Sequence, residues 1–259
     1  CGSPVGDRSR HAVSEDPDLP ASDELSGEPR RAWVSLFAVV ADALSPIPIL
    51  WQDEHLLVVD KPAGLLVVGA EGRHGPTLID RLTRQLGQRV FPVHRLDEDT
   101  TGVIVVARTA TAREKLEVVF RTHEATRVYL ALACRMPSPP AGRIESNLAV
   151  DADGIVRSVS QGGERAITIY RAVERRASGV LLECRLETGR RNQIRAHLAG
   201  IGAAIVEDRK YGWRARPYEA KPKRPLLHAW RIELTHPLTG QRLEISADPA
   251  EPELAPRRD

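Results

Sequence analysis

Cysteine, methionine and long apolar runs are all scarce in this chain of 259 residues. Its three cysteines, Cys1, Cys134 and Cys184, are too few and too widely separated for a disulfide framework, and none forms a Cys-x-x-Cys pair of the kind that holds zinc. The eight histidines show no i, i+4 pairing with an acid between them, which argues against a metalloenzyme. No apolar run approaches the ~20 residues needed to cross a membrane. Arg30 and Arg31 ahead of the apolar stretch 33–41 imitate a secretion signal, but an acidic segment lies in front, and Ser35 and Asp42 fit a short amphipathic helix at least as well. A reducing, cytoplasmic location is the expectation. Cys1 at the beginning and a lone methionine, Met136, imply that the start of translation is missing or has been processed away.

What is present is ordinary for a globular protein: 42% hydrophobic and 28% charged residues, enough to bury a full core. The charge is unevenly placed. Residues 1–49 carry four Arg and no Lys against eight acids, a balance of −4, so the whole-chain +2 leaves +6 on residues 50–259. That is a mild excess of the sign that polyanions attract. Residues 1–30 are rich in Ser, Pro, Gly, Asp and Glu, too poor in apolar side chains to offset the entropy of ordering, and are expected to be disordered. The division expected is therefore an acidic segment over 1–46, a catalytic domain over 47–248 and a C-terminal tail over 249–259.

Leu56-Leu57-Val58-Val59 and Leu65-Leu66-Val67-Val68 are strand-like runs joined by Lys61-Pro62-Ala63-Gly64, which predicts a buried hairpin. A helix is predicted from Thr77 to Gln85, opened by a Thr77…Asp80 capping pattern, and another from Thr111 to Arg121, opened by Thr111…Glu114. Between them Val103 to Val106 is a short buried strand, so the polar segment 94–101 is a connection aimed at one end of a sheet. From Thr126 onward strands dominate. Alternation over 128–134 predicts a half-buried strand with Tyr129 on the face opposite Val128, Leu130 and Leu132. Further strands are expected over 143–150, 155–160, 166–173 and 180–186, then a helix over 191–200 and a closing hairpin from 226–234 to 242–245. The sum is an α+β fold around a largely antiparallel sheet.

Four segments carry the chemistry. They are Leu57-Val58-Val59-Asp60-Lys61-Pro62-Ala63-Gly64, His94-Arg95-Leu96-Asp97-Glu98-Asp99-Thr100-Thr101-Gly102, Arg127-Val128-Tyr129-Leu130-Ala131 and Glu187-Thr188-Gly189-Arg190-Arg191-Asn192-Gln193-Ile194-Arg195-Ala196-His197. In that order, over roughly residues 47–247, they resemble the RluA-type family of pseudouridine synthases. The resemblance implies the pseudouridine synthase fold and a cofactor-free isomerisation of uridine in structured RNA, ribosomal or transfer, by a chain that needs to be no more than a monomer. It assigns Asp97 as the catalytic carboxylate, attacking the sugar or acting as a base beside it. Arg195 becomes the cation that keeps Asp97 ionised against desolvation. Tyr129 becomes the residue that stacks on the base and is suspected of removing a proton before product release, and Arg95 the planar cation that takes the place of the extruded base. His94 and His197 are read as structural.

Other basic residues suggest how RNA is held. Gly189, Arg190 and Arg191 are expected to open a helix whose free N–H groups favour phosphate. Arg209, Lys210, Arg214, Arg216, Lys221, Lys223 and Arg224 form a basic cluster containing Tyr211, Trp213 and Tyr218, suited to backbone contact and base stacking. The chain departs from the family at Thr101, where Ser is common, and at Asn192, where His is frequent. It departs again at Glu207, where a glycine usually precedes the Asp and where another residue needs a different backbone or accepts strain. Residues 1–46 are too acidic and too poor in core residues to be the small RNA-binding domain that many relatives carry. The rival readings are a non-catalytic RNA-binding protein on the same fold, and a glycoside hydrolase using Asp97 and Asp99 as a carboxylate pair, which leaves Tyr129 and Arg195 unexplained.

Overall fold

The structure is a computed structural model that describes residues 45–213 and 224–257. The expected disorder over 1–30, the short helix after it, and the basic residues Arg214, Arg216, Lys221 and Lys223 with Tyr218 and their loop lie outside the described residues. Eleven strands form one sheet: β1 Ile49–Gln52, β2 Leu56–Lys61, β3 Phe91–Pro92, β4 Thr101–Ala107, β5 Thr126–Ala133, β6 Ala141–Val150, β7 Val156–Val159, β8 Glu164–Arg176, β9 Gly179–Leu186, β10 Leu227–Thr235 and β11 Arg242–Ser246. Three α-helices occur among the described residues: α1 Leu78–Leu86, α2 Ala110–Arg121 and α3 Gln193–Gly200. The strand order is β1-β2-β4-β10-β5-β9-β8-β6-β7, with β3 on β4 and β11 on β10. Every pairing is antiparallel except β4 with β10, so the α+β expectation holds.

The unbroken apolar runs of β2 and β4 follow from burial on both faces. Leu57, Val59, Ile104 and Val106 face one core cluster, together with Leu78 and Leu82 of α1. Leu56, Val58, Val103 and Val105 face a second, together with Ala112, Leu116 and Phe120 of α2. α1 starts where the capping pattern says, with Thr77 and Asp80 satisfying each other's backbone N–H groups. α2 starts two residues before the expected cap: Thr109, not Thr111, accepts from the Ala112 N–H. Both are threonines with an acceptor at the right spacing, and only the path of the chain leaving β4 selects between them.

Three further expectations are corrected. Leu65 to Val68 is not a strand. Its carbonyls go elsewhere: Leu65 O accepts from Lys61 Nζ at 2.8 Å, and Leu66 and Val67 O accept from the first N–H groups of α1. Leu65 and Val67 still bury their side chains, so the apolar pattern was a core signal without being a strand signal. β2 pairs instead with β1, a strand directly after Pro46 and Pro48 that the sequence did not announce. β5 is buried along both faces rather than half-buried, because it lies between β10 and β9 near the middle of the sheet. Residues expected as a tail are packed: Leu254 is fully buried in the main cluster, and Arg176 donates to the carbonyls of Pro252 and Ala255.

The one parallel pairing positions the site. Gly102 lies opposite Ala229 with φ +107°, and a Cβ there would stand 2.1 Å from the Ala229 carbonyl oxygen. Only glycine lets β4 begin this close to β10, which explains the glycine that ends the Thr100-Thr101-Gly102 segment.

Candidate active site

The loop from Val93 to Thr100 is fixed from several directions, and this determines where Asp97 points. His94 Nε2 accepts from the Val105 N–H at 3.0 Å, and its ring stacks on Phe120 with centroids 4.2 Å apart. Burial pushes its pKa down to about 3, so it is a neutral structural acceptor. Leu96 is buried in the core beneath. Lys61, completely buried, donates to the carbonyls of Pro62, Leu65 and Glu98 at 2.9, 2.8 and 2.7 Å and ties the 62–65 loop to the Asp97 loop. Arg224 donates to the Asp99 carbonyl and to Thr101 Oγ1, and His228 Nδ1 lies 2.7 Å from the same hydroxyl. The Thr100 N–H closes a turn on the Asp97 carbonyl.

On the opposite wall, α3 is anchored by Gln193, whose Oε1 accepts from Thr188 Oγ1 and the Arg190 N–H while its Nε2 donates to Ile167 O and Thr168 Oγ1. Gly189 to Arg191 precede the helix rather than open it, and the Arg190 N–H is already taken. The Asn192 N–H is directed at the Asp97 carboxylate. Arg195, one turn into α3, places Nη1 3.7 Å from Asp97 Oδ2. Its stronger partner is Asp208, fully buried, which accepts from Nε and Nη2 at 2.7 and 2.9 Å. Asn192 Oδ1 and the face of Tyr211, 5.0 Å from the guanidinium carbon, complete its surroundings.

Two cavities meet at Asp97 and Arg195. One, of about 410 Å³, is lined by Tyr129, Arg127, Leu186, Leu227, Arg190 and Arg191, and falls in the size range of small-molecule sites. The other, of about 540 Å³, runs past Arg191, Asp208, Arg209 and Lys210. Arg95 lines both. The Asp97 side chain is 19% exposed, open to an entering group but largely desolvated. Burial raises its pKa, against the lowering pull of Arg195, Arg95 and the Asn192 N–H. Burial also pushes the Tyr129 hydroxyl up to about 12, with the Asp97 charge adding to it and Arg127 opposing.

The structure thus brings Asp97, Tyr129, Arg195, Arg95, Arg190 and Arg191 to one place. Lys210 is exposed beside the second cavity, with Nζ on the Gly154 carbonyl. Arg224 is a correction: instead of being offered to RNA in a basic cluster it is buried, paired with Glu251 and holding the Asp97 loop. Tyr211 and Trp213 are corrections of the same kind, buried rather than offered for stacking; the Tyr211 hydroxyl accepts from Val156 N–H and Asn192 Nδ2. Lys221 and Lys223 lie outside the described residues. Glu207, the departure from glycine, takes the strained alternative with φ +66°. Asp208 and Lys61 were missed as site supports. An acid 13 residues from its arginine partner in a loop leaves no periodic trace, whereas Lys61 inside an apolar strand was a visible anomaly.

Residues 55–200 match the RNA pseudouridylate synthase family. The chain is 41% identical over 216 residues to ribosomal large subunit pseudouridine synthase D of Nitrosomonas europaea, covering 76% of this chain and 60% of that protein. It is 36% identical to the protein of the same name from Zymomonas mobilis, with 78% and 69% covered. Among solved structures it is similar to human RNA pseudouridylate synthase domain containing 4, at TM-score 0.64 and 26% identity over 84% of this chain and 94% of that one.

Proposed function

This chain belongs to the RNA pseudouridylate synthase family, and we propose that it isomerises uridine to pseudouridine in large-subunit ribosomal RNA with Asp97 as nucleophile or base. The RNA class rests on the names of the relatives, and the observation that carries the reaction is the seat of Asp97. A partly exposed carboxylate stands at the junction of two cavities, with an arginine 3.7 Å away on one side and a tyrosine in the wall of the other.

The reaction breaks the bond between the sugar and N1 of uracil, turns the base while it stays bound and joins C5 to the sugar; the hydrogen that C5 carried leaves as a proton to solvent and N1 takes one up, so the atoms balance. Ionised Asp97 begins it at the sugar, and Arg195 stabilises the charge while burial strengthens the interaction. Tyr129 packs against the base in the smaller cavity. Its raised pKa keeps the phenol protonated at rest, so it takes up a proton only as its own is passed on. Arg95, exposed at the rim, fills the stack the uridine leaves, and Arg190, Arg191 and Lys210 contact the backbone. Action on structured RNA as a cytoplasmic monomer completes the reading.

The test uses purified protein without added metal or nucleotide and an unmodified large-subunit ribosomal RNA transcript tritiated at C5 of uracil. The wild type releases tritium; Asp97→Ala releases none yet binds the transcript with little change. Mapping pseudouridines in cells with and without the gene names the position. Binding without release by the wild type, and no site lost from cells, would instead mark a non-catalytic RNA-binding protein.

A further inference from the structure

Arg127 is the part of the Arg127-Val128-Tyr129 segment that the proposed chemistry leaves without a task. Two residues from Tyr129 on β5, it projects to the same face and lines the same cavity. It is only 8% exposed, yet its Nε and Nη2 are buried without an acceptor among the described residues. Other arginines with an unpaired nitrogen, Arg108, Arg176 and Arg231, each make a bond or ion pair through another nitrogen. Three other arginines of this site have carboxylates, Arg195 with Asp208, Arg224 with Glu251 and Arg190 with Glu164. Arg127 has none: burial pushes its pKa down, and the charge it feels in return comes from Tyr129 rather than an acid.

The fold also makes room for this unpaired cation. A Cβ on Gly189 would lie 2.5 Å from Arg127 Nη1, so the glycine between Thr188 and Arg190 clears the space that the guanidinium occupies. A buried, uncompensated positive charge with unmade hydrogen bonds is unfavourable in the free protein and becomes favourable when an anion arrives. Arg121 lines the same cavity and adds to its positive potential, while His123, whose pKa burial lowers, and Arg190, paired with Glu164, add little.

We propose that Arg127 forms a phosphate subsite in the active-site cavity, receiving a phosphodiester oxygen of the RNA next to the uridine held against Tyr129. The identity of that uridine rests on the function proposed above; the phosphate chemistry does not. A uracil carbonyl would satisfy a hydrogen bond but leave the buried charge uncompensated, whereas the planar guanidinium matches two phosphate oxygens. Tyr129 and Arg127 are about 7 Å apart along the strand, so base and backbone of one bound nucleotide reach both.

The test reads the Arg127 Nε–H resonance in protein labelled with ¹⁵N-arginine, identified by its loss in Arg127→Lys. Titration with uridine 5′-monophosphate or inorganic phosphate shifts this resonance, and uridine does not. An equal response to uridine would assign the guanidinium to the base, and silence toward both phosphate compounds would leave it a packing residue; each overturns the proposal. Neither outcome depends on turnover, so failure here is distinct from failure to form pseudouridine. With the ribosomal RNA transcript, Arg127→Gln lowers the slope of log K against log salt by about 0.7, while Arg127→Lys retains it. An unchanged slope in a folded Arg127→Gln protein also refutes the subsite.

Discussion

Arg195 is bound more tightly to Asp208 than to Asp97: two hydrogen bonds of 2.7 and 2.9 Å against an ion-pair separation of 3.7 Å. One guanidinium therefore serves two carboxylates with different tasks. Asp208, fully buried, sets its orientation, and Asp97, partly open, receives what remains of its field. The Asp97 carboxylate is stabilised without being locked into a bidentate pair that an incoming group would have to break.

Asp208→Asn removes the charged half of that clamp while keeping its shape. Breaking a buried pair in this way costs about 3–5 kcal/mol, read as a lower midpoint in urea. Among the described residues Arg195 is then left with Asp97 as its carboxylate partner, so Asp97 ionises more readily. The acid limb of the pH–rate profile should move to lower pH in the variant, even as kcat falls because the guanidinium is less well placed. A limb that stays where it is would mean that Asp208 does not govern the Arg195–Asp97 interaction.

Asp97 itself has a pKa raised above the ordinary 3.8, chiefly by burial. Between that value and the raised one the folded protein binds more protons than the unfolded chain, so this group's contribution to stability falls as pH rises through the window. The Asp97→Asn variant lacks the loss. It should be at least as stable as the wild type at pH 7, with the advantage shrinking as pH falls to about 3.8. Urea midpoints of the two proteins across that range are the measurement.

Lys61→Met leaves three carbonyls, of Pro62, Leu65 and Glu98, without their buried donor. The loss, offset by no longer burying an ammonium, is about 2–4 kcal/mol, and kcat should fall more than KM rises, because the Asp97 loop loses its tie. Burial pushes the Lys61 pKa down to about 8 from 10.5. Between these values the unfolded chain binds more protons, so the wild type gains stability relative to Lys61→Met as pH rises from about 8 to 10.5. A constant difference across that range would show that Lys61 is not buried in its charged form.

Glu207→Gly relieves a left-handed backbone, φ +66°, at a residue whose ion pair with exposed Arg209 spans 3.9 Å and contributes little. The variant should be about 1 kcal/mol more stable, measured by denaturant unfolding. A loss of stability instead would show that packing of the buried Glu207 side chain outweighs its backbone strain.

Much of this site was readable one segment at a time. The Thr77 and Asp80 capping box, the double-faced burial of 103–106, the closing hairpin and the grouping of Asp97, Tyr129 and Arg195 all follow from local pattern or from motif order. The misreadings share a cause. Leu65 to Val68 has strand composition, yet its carbonyls are claimed by Lys61 and α1; Thr109 and Thr111 are equally good caps; and Arg224 and Tyr211 look like surface residues for RNA until their partners Glu251 and Asn192 arrive from elsewhere in the chain.

The amino-acid sequence alone determined which segments supply the candidate site, because Asp97 and its loop, the Arg127 to Tyr129 strand and the Thr188 to His197 segment are each defined by contiguous residue types. Tertiary structure decided how those residues are charged and held. Burial of Asp97, the sharing of Arg195 with Asp208, the anchoring of the loop by Lys61 and Arg224 and the unpaired state of Arg127 depend on contacts between residues far apart in the chain. Electrostatic environment in a folded protein is a property of what surrounds a group in space, and no linear spacing encodes it.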